Sequence, residues 1–302
     1  MNIGVLTVND FSFHPNMRLK QAAEGSGNEI ILINPYDILC SLKDSRFEFF
    51  IEKIYKELDV IMPRQGSPMG DYGLVLLRQF MQSGTPLVNS LKGVTIARNQ
   101  FITLQALVSS GLPVPATLFI TKVASFLPAV KQLGGFPVVV KQVDGMGGDG
   151  VIKVNSQTEA AAFLTQNLKA KKGLVVQQFI PPQERTDIRV LVIGEKIAGA
   201  MALVPDYQDF RANIHQKGHA RPVELTQSCA SIALKAAKAC HLEIAGIDLI
   251  VEKNYPPLII EVNYSPGFKG LEAATGQDIA KQILDYVTST CSKECLNEKP
   301  EI

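Results

Sequence analysis

The stretch Asp248–Asn263, D-L-I-V-E-K-N-Y-P-P-L-I-I-E-V-N, decides how this chain is read. Apolar runs on either side of a turn at 254–257 make a strand pair. An acid sits in each run: Asp248 in the first and Glu261 in the second, with Asn263 two residues further on. Side chains alternate along a strand, so Glu261 and Asn263 share a face, and the turn brings Asp248 alongside them. Val262, Ile259 and Leu249 are the positions expected to supply the apolar face. Carboxylates buried in a sheet cost on the order of several kcal/mol unless a cation compensates them. Three hard oxygen ligands on one face suit Mg²⁺, which takes carboxylates together with phosphate oxygens and water. The competing reading is a polar, solvent-facing side of the sheet.

Upstream, the run P-V-V-V ends in Lys141, and D-G-M-G-G-D-G follows, with glycines at 145, 147, 148 and 150. A Lys closing a buried strand needs its charge compensated, unless it snorkels out from the strand end. Glycines let backbone N–H groups approach an anion closely. The loop therefore reads either as a lid over nucleotide phosphates or as an ordinary hairpin loop. A third cluster comprises D-F-R-A-N at 209–213 and the pair Asp187 and Arg189 on one strand face. An Arg fork suits carboxylate or phosphate, although read alone this cluster is better explained as a surface ion-pair group.

The 302 residues, 46% of them hydrophobic, suffice for a large core. Two or three domains are expected, at roughly 100 to 200 residues each. With 30 basic and 29 acidic residues the net charge is +1, which argues against bulk nucleic-acid binding and gives no sign of a membrane-surface role. Lys169, Lys171 and Lys172 read as a solvated helix end. Cysteines at 40, 229, 240, 291 and 295 are odd in number and scattered, which suits a reducing compartment. Cys291 and Cys295 lack the second pair or nearby His of a zinc site. The opening MNIGVLTVND lacks a signal peptide's basic and long apolar regions, and no apolar run reaches the ~20 residues of a membrane span. A soluble cytoplasmic protein is expected.

NIGVLTV at 2–8 and NEIILINP at 28–35 read as strands around a helix at 16–24. FEFFIEKIYKEL followed by LDVIMPR reads as a further helix and strand. Residues 1 to about 90 thus form a small α/β domain with a parallel sheet. No GxGxxG follows the first strand, so a dinucleotide site is not supported there. Helices are expected at 99–110, 157–168, 225–241 and 277–290. GFPVVVKQV and GLVVQQFI read as strands, and residues 187–202 as two more joined at Gly194–Glu195.

Taken in order, Lys141 with G-M-G-G-D-G-V, then V-Q-Q-F-I, D-I-R-V-L-V, D-F-R-A-N-I-H, A-G-I-D-L-I and E-V-N-Y-S-P-G-F-K-G-L-E-A-A-T-G resemble the RimK-type α-L-glutamate ligases of the ATP-grasp superfamily. M-P-R-Q-G-S-P-M-G-D-Y-G-L-V-L-L-R-Q-F and T-P-L-V-N-S look like that family's pre-ATP-grasp segment, so the resemblance spans about residues 1–290. It implies an α/β (α+β) ATP-grasp fold: a pre-ATP-grasp domain at 1–95, a central lid domain at 96–180 and a C-terminal catalytic domain at 181–290, with 291–302 a frayed tail. By position it puts Lys141 on the α/β-phosphates of ATP, with Gly147 and Gly148 in the lid. Gln178, Phe179 and Ile180 would sit at the adenine and Asp187 near the ribose. Arg211 and Asn213 would steady the γ-phosphate and the acyl-phosphate as catalytic residues. Asp248, Glu261 and Asn263 would hold two Mg²⁺, for which Mn²⁺ can substitute. Arg64, Arg78 and Arg189 would meet a carboxylate of the substrates.

The implied reaction is ATP-dependent amide formation through an acyl-phosphate, adding an amino acid, glutamate foremost, to a protein tail or a small carboxylate acceptor. A homo-oligomer is implied with it. A phosphotransferase and a non-catalytic ATP-binding regulator are the alternatives. The chain departs from the family pattern at four places: Asn99-Gln100 stands for the usual Asp-Lys, Gln178 for Glu, Ala212 for Ser and His219 for Gly. The missing Lys removes a charge-assisted phosphate contact.

Overall fold

A computed structural model describes residues 1–51, 57–64, 70–145, 150–204, 219–253 and 255–294. The chain opens with β1 (Asn2–Leu6), α1 (His14–Ala23) and β2 (Glu29–Ile33). Ile3, Val5 and Leu6 are fully buried, as a strand covered on both faces requires. Next comes a hairpin, β3 (Ile38–Lys43) and β4 (Arg46–Ile51), and then β5 (Val60–Pro63). The parallel sheet runs in the order β2-β1-β5.

The hairpin corrects the sequence reading, which made FEFFIEKIYKEL a helix: its first residues are β4, paired antiparallel with β3. Asp44 and Ser45 both adopt positive φ, 50° and 59°, which makes the two-residue turn that matches strand twist. The aromatic run is β-forming once a partner strand is available. Phe49 stacks on Phe80 at 4.2 Å, and Gln79 Nε2 donates to the carbonyls of Ser41 and Glu48.

Three helices follow: α2 (Tyr72–Gln82), α3 (Leu91–Ala97) and α4 (Gln100–Ser109). Asn99 caps α4 by accepting from the backbone N–H groups of Phe101 and Ile102. The central unit holds β6 (Thr117–Ile120), α5 (Phe126–Gln132), β7 (Val138–Gln142), β8 (Val151–Val154), α6 (Gln157–Asn167) and β9 (Leu174–Gln178). Its antiparallel sheet runs β6-β9-β7-β8. This unit has a core of its own, including Ile120, Phe126, Val138, Val140 and Leu174. Leu104 and Leu107 of α4, by contrast, pack into the core that the first domain shares with the C-terminal sheet.

That second sheet is built from β10 (Arg185–Ile193), β11 (Lys196–Val204), β12 (His219–Pro222), then after α7 (Gln227–Ala239) from β13 (Ile244–Glu252) and β14 (Leu258–Asn263). Its order is β12-β11-β10-β13-β14. The chain closes with α8 (Lys269–Thr275) and α9 (Ile279–Glu294). α9 reaches into the segment expected to fray, anchored by the buried Cys291.

Two contacts lock the first domain onto the C-terminal sheet. Asn89, which is buried, donates to the carbonyls of Ile244 and Tyr264 and accepts from the N–H groups of Glu243 and Ile244, all at 2.7–2.8 Å. Gly93 of α3 lies against the turn before β13: a Cβ there would stand 2.2 Å from the His241 carbonyl oxygen.

Candidate active site

The register of the C-terminal sheet sets Asp248 opposite Glu261 and Arg189 opposite Asp248. A bulge follows, so that Leu249 pairs with Ile259 and Ile260 is the extra residue. Strict alternation would have put Ile259 on the face of Glu261. The bulge resets the phase, so Ile259, Leu249 and Val262 are all buried in the core while Ile260, Glu261 and Asn263 line a cavity.

That cavity, about 580 Å³, lies between the central sheet and the C-terminal sheet. β7 contributes Lys141, buried at 6% exposure. The end of β9 contributes Gln178 and, beyond it, Ile180, while the start of α4 contributes Asn99 and Gln100. Burial pushes the Lys141 ammonium down to about 8, opposed by the negative charge of Glu261 and reinforced by Arg185. Glu261 moves the other way. Burial and then the neighbouring Asp248 raise it, while Arg189, Lys141 and a hydrogen bond from Asn263 pull it down. A half-buried carboxylate and a buried ammonium thus face one cavity, each incompletely compensated.

Arg189 is committed to Asp248: its Nε and Nη2 donate to the two carboxylate oxygens at 2.7 and 2.5 Å. Burial opposes the Arg189 charge, but Asp248 outweighs it and raises the guanidinium above its ordinary value. Asp187 is held in the same way by Arg185, at 2.7 and 3.0 Å, and burial raises its carboxyl. Arg189, Asp187 and Asp248 therefore stand behind the cavity wall rather than on it. Phe179 also lies off the cavity lining, with Lys153 over its ring at 4.4 Å. Arg78 is exposed on α2, and Arg64 is buried beside Pro266. Gly147, Gly148, Arg211 and Asn213 lie outside the described residues.

Sequence reasoning missed Arg185, which brings a guanidinium to the cavity and donates to the Ile180 carbonyl. Its only sequence signal was proximity to Asp187. Lys171 and Lys172, read as a solvated helix end, follow α6 in a turn and line the cavity, with Lys172 paired to Asp144. Gln100, where the resemblance leads us to expect a Lys, donates its amide N–H to the Ile260 carbonyl, 3.4 Å away.

Among the described residues no three His, Cys, Asp or Glu side chains cluster as metal ligands. The oxygens that fit a hard divalent cation are those of Glu261 and Asn263 on the cavity, with the Asp248 carboxylate behind them keeping lone pairs beyond those Arg189 uses. A cation there would offset the burial and the Asp248 charge that raise Glu261 and that Arg189, Lys141 and Asn263 counter only in part.

Residues 1–94 match the family model described as the RimK PreATP-grasp domain, and residues 97–287 that of the RimK-like ATP-grasp domain. A protein of Shewanella loihica named probable alpha-L-glutamate ligase is 33% identical over 288 residues, which cover 95% of each chain. The crystal structure of a RimK domain ATP-grasp protein from Sphaerobacter thermophilus superposes with a TM-score of 0.74 at 21% identity, covering 95% of this chain and 99% of that one. A D-alanine–D-alanine ligase from Bacillus anthracis, complexed with ATP, gives 0.72 at 19% identity, covering 97% and 98%. These two structures speak for the shared fold.

Proposed function

The chain belongs to the RimK-like ATP-grasp family, and from that premise we propose that it adds L-glutamate or a related amino acid to a carboxylate acceptor, a protein C-terminus or a small molecule. It is an ATP-grasp carboxylate–amine ligase by family and fold. The observation that carries the proposal is that buried Lys141 and half-buried Glu261 line one cavity, with Asn263 two residues from the carboxylate.

The chemistry follows from the electrostatics. A carboxylate is a poor electrophile, so one of its oxygens first attacks the γ-phosphorus of ATP and ADP departs. The amine then attacks the carbonyl carbon, and phosphate leaves with that oxygen. Lys141 sits where phosphate charge would compensate its ammonium, whose charge burial disfavours. Glu261 and Asn263, with Asp248 behind, would hold two Mg²⁺, which when bound offset the charge developing on the transferring phosphoryl group. Gln178 and Ile180 line the end of the cavity suited to adenine, and Gln178 offers both a donor and an acceptor. Phe179 supports that edge and Asp187 the ribose side. Arg211 and Asn213 are assigned to the acyl-phosphate, and Gly147 with Gly148 to a lid that excludes water from it. Among the described residues no helix is long and apolar enough to cross a membrane. A cytoplasmic homo-oligomer belongs to the same reading.

The neutral Gln100 favours a second reading, an ATP-binding regulator without turnover. A coupled ADP-release screen of amino acids against acceptor peptides and small polycarboxylates, with product mass spectrometry, separates the possibilities. ADP release that requires both substrates, with a product lighter than their sum by one water, supports the ligase. A phosphorylated product without amide selects a phosphotransferase, and binding without turnover selects the regulator.

A further inference from the structure

The resemblance sends Arg64, Arg78 and Arg189 to a substrate carboxylate, but none of the three lines the cavity. Among the described residues the guanidinium groups that do line it are those of Arg185 and Arg98. Arg185 is held by both oxygens of Asp187, at 2.7 and 3.0 Å. Arg98 is held more loosely: Nη2 lies 3.2 Å from Oδ1 of Asp71. The Arg98 side chain is 21% exposed, whereas that of Asp71 stands wholly in water. Such a pair is weak, because the carboxylate keeps its hydration. Nor does the Asp71 carboxylate serve its helix. It occupies the N-cap of α2, where an Asp ordinarily accepts from the first N–H groups, yet it makes no capping bond.

Arg98 closes α3, with its backbone N–H on the Val94 carbonyl at 3.0 Å, and Gly93 seats α3 against the His241 carbonyl. After Asn263 the same cavity is lined by Tyr264 and Ser265. The charge of Arg98 reaches that wall: burial pushes the Tyr264 phenol up to about 12, and Arg98 pulls the other way. The first domain fixes the wall, since Asn89 donates to the Tyr264 carbonyl at 2.8 Å and Arg64 to the Pro266 carbonyl at 2.7 Å. A half-buried guanidinium with a replaceable partner thus stands on a rigid helix end, near the wall that continues from Glu261 and Asn263.

An Arg fork matches a carboxylate in shape and charge. A carboxylate that becomes an acyl-phosphate and then an amide gives up its own charge on the way, so a fixed cation suits one that keeps it. We propose that Arg98 anchors a non-reacting substrate carboxylate, and that Asp71 holds that place until the substrate displaces it. The exchange of partners rests on the geometry, and only the assignment of the carboxylate to a ligase substrate rests on the ligase reading. An α-carboxylate and a side-chain carboxylate share this chemistry.

Calorimetric titration of the full chain with ADP and Mg²⁺ present tests this. L-glutamate and the dipeptide Glu-Glu are the probes, and the tighter binder is compared with each form carrying one carboxylate as the carboxamide. The proposal predicts that at least one amide binds about tenfold or more weakly, about 1.4 kcal/mol. Arg98→Met weakens the free probe as much and removes the penalty at one carboxylate, which identifies the source as α or side chain. Asp71→Asn, which deletes the competitor, tightens the probe several-fold, and adding it to Arg98→Met changes nothing. A merely structural ion pair would move both single variants in the same direction, and that result overturns the proposal. So does an Arg98→Met that keeps the affinity and every penalty, or an Asp71→Asn gain that persists without Arg98. Wild-type protein that binds neither probe, or binds all forms equally, overturns it too, with no variant needed. Failure to bind ADP would instead sink the nucleotide-site reading. Probe binding with the expected signs but no amide product in the ADP-release screen would sink the ligase reading and leave the exchange at Arg98 standing.

Discussion

Lys141 and Glu261 illustrate how single side chains betray a site. Each stands where desolvation disfavours its charge, Lys141 buried and Glu261 half-buried, and each is shifted toward its neutral form. For Lys141 the folded value, about 8, lies below the ordinary 10.5 of an unfolded chain. The unfolded state therefore binds more protons between those values, and the cost of burying the ammonium is present below pH 8 and relieved as pH rises toward 10.5. In metal-free and nucleotide-free buffer, Lys141→Met should be more stable than the wild type at pH 7, by up to about 3 kcal/mol. The gap should close by pH 10.5, as denaturant titrations at both pH values would register. A gap independent of pH would mean that Lys141 does not carry a buried charge. Glu261→Ala removes the carboxylate on the cavity and should abolish ADP release, so near-normal turnover would refute the metal assignment. Gln100→Lys adds a cation beside Glu261 and should tighten ADP binding by up to about tenfold. An unchanged affinity by calorimetry would place that side chain away from phosphate.

At the scale of elements, the strand pair β13–β14 was legible because acids inside apolar runs are rare and period two is a strong signal. The bulge at Ile260 was not, since a one-residue slip leaves no mark on a run of Leu and Ile. Arg189 looked free for a substrate because its partner, Asp248, is 59 residues away and meets it only through the register of β10 with β13. The hairpin β3–β4 was misread because Phe and Ile suit a helix face as well as a strand, and the positive φ of Asp44 and Ser45 has no glycine to announce it. Gly93 was silent for a related reason, since its value lies in the approach of another segment. Gly93→Ala should destabilise the fold by roughly 2 kcal/mol or more, because the clash is with a backbone carbonyl that cannot rotate away. A melting temperature within a degree of wild type would show that α3 can retreat from His241 freely.

Across the whole molecule, the first domain and the C-terminal sheet share two cores, whereas the unit from β6 to β9 keeps its own. The order of motifs, through the family resemblance, implied an α/β chain with ATP between the central and C-terminal domains, and the family models match nearly the full length. What the sequence could not show is which cations are already spent: Arg185 and Arg189 are paired to Asp187 and Asp248, and among the described residues Arg64 meets a carbonyl and an aromatic face. The whole account turns on phosphorylation of a carboxylate before amide formation. Turnover with an acceptor labelled with ¹⁸O in the carboxylate, followed by ³¹P NMR of the released phosphate, tests this most directly. The account predicts one ¹⁸O in each phosphate and one retained in the amide. Phosphate free of ¹⁸O, formed at the same rate as product, would contradict it.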